Sequence, residues 1–107
     1  LDGPQIKRVI INLVDNAVAA LGEKGSIEIT TRFDPSLRRA FLAVADTGPG
    51  VPPASRESIF APNFSTKRKG SGLGLAIARR IVEDHGGEIR VEDNSPQGAR
   101  FLIELPV

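Results

Sequence analysis

An α+β fold, a two-layer α/β sandwich with helices on one face of a sheet, is what this sequence predicts, on three observations. Two segments carry apolar residues at helical spacing, and four have strand character. Their order is helix, strand, strand, long loop, helix, strand, strand, which pairs the strands as two hairpins. A sheet with one apolar face needs helices to bury it. The expected sheet is therefore mixed, mostly antiparallel and covered on one face by helices.

The first helix opens after Asp2, which suits an N-cap, with Pro4 in the first turn. Ile6, Val9, Ile10, Leu13, Val14, Ala17 and Leu21 then recur at helical spacing, and Gly22 and Gly25 end it. Next, Ile27, Ile29, Thr31 and Phe33 alternate with Glu28, Thr30 and Arg32, which predicts a half-buried strand. Asp34, Pro35 and Ser36 make a turn into a second strand over 39–46. Residues 47–72 break all periodicity with Gly48, Pro49, Gly50, Pro52, Pro53, Pro62, Gly70 and Gly72; a loop this long in a compact domain marks function or mobility. Leu73, Ala76, Ile77, Ala78, Ile81 and Val82 form the second helix, closed by His85-Gly86-Gly87. Strands near 88–92 and 99–105 follow, joined by a turn over Asp93–Gly98.

At 107 residues, 40% hydrophobic and 25% charged, the chain suits one folded domain. Fourteen Lys and Arg against 13 Asp and Glu create no general field for nucleic acid or anionic lipid, so any anion site is local. The absence of cysteine excludes disulfides and thiolate metal sites. No apolar run approaches the roughly 20 residues of a membrane span, so no direct membrane contact is expected. With no Met and Leu at position 1, the chain reads as a fragment of a longer protein.

Three features carry chemistry. Asn12, Asp15 and Asn16 form a polar row on the first helix. By itself the row reads either as a solvated face or as oxygen ligands of the kind Mg²⁺ accepts. Asp46-Thr47-Gly48-Pro49-Gly50 places an acid at a strand's end before two glycines. That is an ordinary turn, or a pocket floor whose carboxylate accepts a hydrogen bond from an amino group. Gly70-Ser71-Gly72-Leu73-Gly74-Leu75 directly precedes a helix, where freed N–H groups and the helix N-terminus favour an anion. It is neither a P-loop nor a dinucleotide fingerprint. Lys67, Arg68 and Lys69 just upstream are a solvated loop or a set of phosphate contacts.

Taken in order, these segments resemble the N, G1, F and G2 boxes of the histidine-kinase ATPase domain, related to DNA gyrase, Hsp90 and MutL. They are Asn12-Leu13-Val14-Asp15-Asn16-Ala17, Asp46-Thr47-Gly48-Pro49-Gly50, Ile59-Phe60-Ala61-Pro62-Asn63-Phe64 and Gly70-Ser71-Gly72-Leu73-Gly74-Leu75. The resemblance covers nearly the whole chain and implies a Bergerat-type ATP-binding fold over residues 1–107. Asn63-Phe64-Ser65-Thr66-Lys67 is similar to nitrogen-regulation sensor kinases.

The resemblance further implies ATP and Mg²⁺ as ligands. Asn16 would hold Mg²⁺, with Asn12 and Asp15 beside it. Asp46 would bind the adenine amino group, with Thr47, Gly48 and Gly50 alongside. Gly70, Ser71, Gly72 and Gly74 would line the phosphates, and Leu73 and Leu75 would anchor the helix. Residues 51–71 would be a mobile lid, with Phe60 and Phe64 as apolar clasps and Thr66 and Lys67 near the nucleotide. Hydrolysing relatives such as gyrase carry Glu where this chain has Asn12, and an amide cannot take a proton from water. No catalytic residue is therefore assigned within the chain. It is expected to hold ATP for a histidine on a separate dimerisation and phosphoacceptor domain of its parent, acting indirectly on a response regulator. The fragment is expected to be monomeric and cytoplasmic, whether or not the parent is membrane-anchored.

The pattern is not complete. Ala19 and Ala20 stand where many members carry a basic residue and an aromatic, and Gly98-Ala99-Arg100-Phe101 lacks the hydroxyl of a Gly-Thr-x-Phe segment. His85, the one histidine, is explained by a helix end. Two other readings share the fold: a serine kinase resembling an anti-sigma factor, and a hydrolytic ATPase clamp, which requires Glu at 12.

Overall fold

The computed structural model describes residues 3–61 and 74–107. Helix α1 spans Gly3–Leu21, and strands β1 (Ile27–Asp34) and β2 (Arg39–Asp46) follow. Two short 3₁₀ turns lie at Pro53–Ser55 and Ser58–Phe60. Helix α2 spans Gly74–Asp84, before β3 (Glu88–Asp93) and β4 (Ala99–Pro106). The strand order is β1-β2-β4-β3, and all three pairings are antiparallel, so no parallel pair occurs among the described residues.

Periodicity places the core. On α1, Val9, Leu13 and Ala17 recur every four residues and are fully buried. On α2, Ala78, Ile81 and Val82 face them. Strand β4 alternates strictly, sending Ala99, Phe101, Ile103 and Leu105 inward. Phe101 pairs in register with Val44 on one side and Val91 on the other. Helix α2 ends in a Schellman arrangement: the Gly87 N–H donates to the Val82 carbonyl and the Gly86 N–H to that of Glu83, both at 2.9 Å. Gly86 sits at φ +78°, a conformation that favours glycine. His85 Nδ1 lies 2.8 Å from the Ile81 carbonyl, as a helix-end residue.

Strand β1 departs from the half-buried expectation. It is an edge strand, paired with β2 alone, and its inward-phase residues Ile29 and Phe33 are 48% and 55% exposed. Helix α1 lies chiefly over β2 and along α2 and reaches β1 only slightly, so among the described residues no helix covers Ile29 or Phe33. Ile29→Thr should therefore change stability by no more than about 0.5 kcal/mol, as for an ordinary surface change. A denaturant midpoint shift equivalent to about 1.5 kcal/mol would show the site to be covered after all.

The second departure concerns residues 51–61, the first part of the expected lid. They are built into the body: Val51, Ile59 and Phe60 are all buried core residues. Phe60 meets Phe101 edge to face, with ring centroids 6.2 Å apart. Polar ties fix the same segment. Arg56 donates from Nε to the Val51 carbonyl and from Nη2 to Asp93 at 2.6 Å. Arg79 on α2 donates to Glu57 at 2.7 Å and lies over the Phe60 ring. The hydrogen bond to Glu57, opposed by partial burial and reinforced by Glu83, holds the Arg79 pKa above its ordinary value. The remaining lid positions, including Phe64, fall outside the described residues.

The opposite face of the sheet carries no helix among the described residues. Arg32 stacks on Phe41 at 4.2 Å, and the pairs Arg39–Glu104 and Arg100–Glu92 bridge neighbouring positions. An open depression of about 450 Å³ lies here, lined in part by Phe41, Leu102 and Arg90. It is remote from the polar residues that follow.

Candidate functional site

The inner end of β2 delivers Asp46 into the core, where it is 1% exposed and the one buried charged residue among those described. A buried carboxylate needs donors. Its Oδ1 accepts from the Gly48 N–H at 2.9 Å and the Ala99 N–H at 3.4 Å. Its Oδ2 is buried with no hydrogen-bond partner among the described residues. One oxygen therefore holds the side chain in place, and the other is left to accept.

The floor around Asp46 is stitched from distant chain. Asn94 donates from Nδ2 to the Asp46 carbonyl at 2.8 Å, and Gln97 donates from Nε2 to the Gly48 carbonyl at 3.1 Å. Thr47 faces outward from the carboxylate: its Oγ1 accepts from the Ser26 N–H at 3.0 Å. Gly98, at φ +114°, passes so near that an added Cβ would overlap the Asp46 backbone carbonyl. Gly50, at φ +81°, lies against the Gly98 carbonyl. A Cβ on Gly48 would come within 3.0 Å of the Ala20 carbonyl, so the C-terminal end of α1 abuts this floor.

The N-terminal part of α1 meets α2. Gly74 opens α2, and a Cβ there would touch Asn12 Cβ and Cγ at 4.0 Å. Asn12 Nδ2 is buried and without a hydrogen-bond partner among the described residues. Asn16, one turn on, is half-buried, whereas Asp15 is exposed. The predicted polar row is thus split: Asn12 and Asn16 share a flank four residues apart, and Asp15 turns to solvent. Leu75 packs against the core cluster. The loop after Asp46 therefore abuts the C-terminal end of α1, and Asn12 lies two turns earlier on that helix beside the start of α2.

Phe60 is buried, its ring edge to face with Phe101. Phe64, Thr66, Lys67, Gly70, Ser71, Gly72 and Leu73 lie outside the described residues. No group of three or more His, Cys, Asp or Glu able to hold a metal occurs among the described residues. The donor set fits Mg²⁺ only through an amide oxygen such as that of Asn16, with water and phosphate completing the shell. No helix among the described residues is long and apolar enough to cross a membrane. Sequence reasoning did not reach Asn94, Gln97 or the Ala99 N–H. Their one legible signal is Gly98, a glycine at the foot of a strand, where close backbone approach is expected.

Comparison with known proteins agrees with this geometry. The family model for histidine kinase-, DNA gyrase B- and HSP90-like ATPases matches residues 1–107. The sensor histidine kinase ZraS of Salmonella typhimurium is 41% identical over 106 residues, which are 99% of this chain and 23% of ZraS. The chain thus spans about a quarter of that relative. The catalytic domain of the histidine kinase ThkA superposes with a TM-score of 0.88 at 45% identity, covering 98% of this chain and 68% of that one. A ThkA complex with the response regulator protein TrrA also matches, with a TM-score of 0.83 at 42% identity over 98% of this chain and 29% of that one. Full-length ShkA, solved with AMPPNP, gives 0.84 at 37% identity over 95% of this chain and 21% of that one. With the family model matched end to end and the solved catalytic domain superposed over nearly every residue, this chain belongs to the histidine kinase-, DNA gyrase B- and HSP90-like ATPase family.

Proposed function

We propose that this domain binds Mg-ATP along the polar flank of α1 and donates the γ-phosphoryl group to a histidine on the phosphoacceptor domain of its parent protein, in the cytoplasm. The single observation that carries the reading is the Asp46 carboxylate, buried, braced through Oδ1 and free to accept at Oδ2. The 6-amino group of adenine is the donor that such an oxygen takes. Gly48 and Gly50 lie beside the base, while the Thr47 side chain, turned to Ser26, holds the start of the loop. The phosphates then point toward Asn12 and the start of α2, where Gly74 and the helix N-terminus favour negative charge. Bound Mg²⁺, held by the Asn16 amide oxygen, would neutralise charge on the phosphates.

Asn12 sets the chemistry apart from hydrolysis. Its amide N–H, without a partner among the described residues, can donate to a phosphate oxygen, and the amide cannot act as a general base toward water. The chain's residues thus bind and orient the donor, while the nucleophile comes from elsewhere. The phosphorylated histidine would then supply a response regulator. ShkA with AMPPNP and ThkA with TrrA support the nucleotide and the partner class.

With labelled ATP, the isolated chain is expected to bind nucleotide and to remain unlabelled. Addition of the parent's phosphoacceptor domain should place acid-labile label on that domain's histidine. Acid-labile label on His85, or none on the acceptor domain despite nucleotide binding, would overturn the reading.

A further inference from the structure

We propose that Gln97, in the turn between β3 and β4, is a positioning residue for the base: its side-chain amide fixes the Gly48 peptide that aims the Asp46 carboxylate. The proposal rests on the reading that adenine meets Asp46, and it deepens that reading by naming what keeps Oδ2 turned toward the amino group.

Position 48 favours glycine. A Cβ there would come within 3.0 Å of the Ala20 carbonyl oxygen and 3.1 Å of Asp46 Oδ1, tighter than ordinary contact. A residue without a Cβ leaves the peptides on either side of it free to rotate. Yet the Gly48 N–H is the nearer of the two donors that hold Asp46 Oδ1, at 2.9 Å against 3.4 Å for Ala99. A loose peptide cannot hold a carboxylate at one angle. The restraint has to come from outside the loop.

Gln97 supplies it. The Thr47 carbonyl and the Gly48 N–H belong to one peptide group. Gln97 Nε2 lies 3.4 Å from that carbonyl oxygen and 3.1 Å from the Gly48 carbonyl oxygen, and donates between them. Its amide thus grips the peptide on each side of the Gly48 Cα. A run of hydrogen bonds results, from Gln97 to the Thr47 carbonyl and from the Gly48 N–H to Asp46 Oδ1, with Oδ2 left to accept. Donation to the carbonyl of a peptide group polarises its N–H, so the first bond strengthens the second. Asn94 steadies the other side by donating to the Asp46 carbonyl at 2.8 Å. Gln97 is itself exposed, while the glycine it holds is buried. Its replacement therefore disturbs the aim of Asp46 far more than the packing of the core.

The test uses the full-length protein that contains this chain. Gln97→Glu keeps the shape but replaces the donor with an acceptor. Gln97→Met keeps the length, with no charge and no donor. Gln97→Lys keeps a donor. Titration calorimetry compares ADP with purine riboside diphosphate, which lacks the 6-amino group. The Glu and Met variants should bind ADP about tenfold more weakly, as for the loss of one hydrogen bond. Both should bind the deaminated analogue within about twofold of the unsubstituted protein, which also verifies folding. The Lys variant should keep most of the ADP affinity. In histidine phosphorylation, KM for ATP should rise in the Glu and Met variants while the rate at saturating ATP holds. Unchanged ADP affinity in both variants overturns the inference. So does an equal loss for ADP and the analogue, which would make Gln97 a general support of the loop. A Lys variant as weak as the Met variant does the same. If instead the unsubstituted protein binds ADP no more tightly than the analogue, the adenine assignment itself fails.

Discussion

Replacing Asp46 by Asn is expected to weaken Mg-ATP binding by about a hundredfold or more, the cost of leaving a buried donor or acceptor wrongly paired. The substitution is nearly isosteric and can keep the Oδ1 contacts with Gly48 and Ala99. Its amide N–H then takes the place of Oδ2, so a donor faces the adenine amino group, which is also a donor. Titration calorimetry of the folded variant checks this, and equal affinity would show that the base does not reach Asp46. By the same logic ATP should be preferred to GTP, since a 6-oxo group presents an acceptor to an oxygen that can only accept.

Gly98→Ala is expected to destabilise the fold by about 3 kcal/mol or more, through strain at a left-handed position and collision with fixed backbone. An added Cβ would overlap the Asp46 carbonyl oxygen, and would lie 2.7 Å from the carbonyl carbon and 2.9 Å from Thr47 Cα. None of these atoms is the far end of a flexible side chain. Position 98 also sits at φ +114°, which an alanine adopts only under strain. For a domain of this size the melting temperature should fall by about 10 °C or more. A fall of only a few degrees would mean that the loop after β2 can move aside. Because the same backbone forms the floor beneath Asp46, nucleotide affinity should drop in any fraction that remains folded.

The elements were legible because they follow simple periods. The spacing of Val9, Leu13 and Ala17 names α1, and the alternation of Ala99, Phe101, Ile103 and Leu105 names β4, with ends close to those observed. Ile29 and Phe33 have the same alternation and are exposed. Alternation records which side a residue faces, not whether a helix lies over that side. The burial of Val51, Ile59 and Phe60 was not legible for the converse reason. They sit in a proline-rich run with no period, and only tertiary contacts with Phe101 and α2 draw them inward. At the site, Asp46 and Asn12 could be named from local patterns, whereas the exposure of Asp15 depends on how α1 is rotated against α2. The donors from Asn94, Gln97 and Ala99 reach across about half the chain, and no local pattern encodes a contact of that separation.

On the proposed reading, that long reach should make the base-binding corner a late product of folding. The Gly48 N–H braces the Asp46 carboxylate locally, and the Ala99 N–H joins it only when the final hairpin has come home across a separation of 53 residues. On that reading, a nascent chain that stops before β4 lacks part of the floor beneath the base, and nucleotide held there would stabilise the long-range contacts together rather than one motif. ATP binding would then read out whether the last strand has docked.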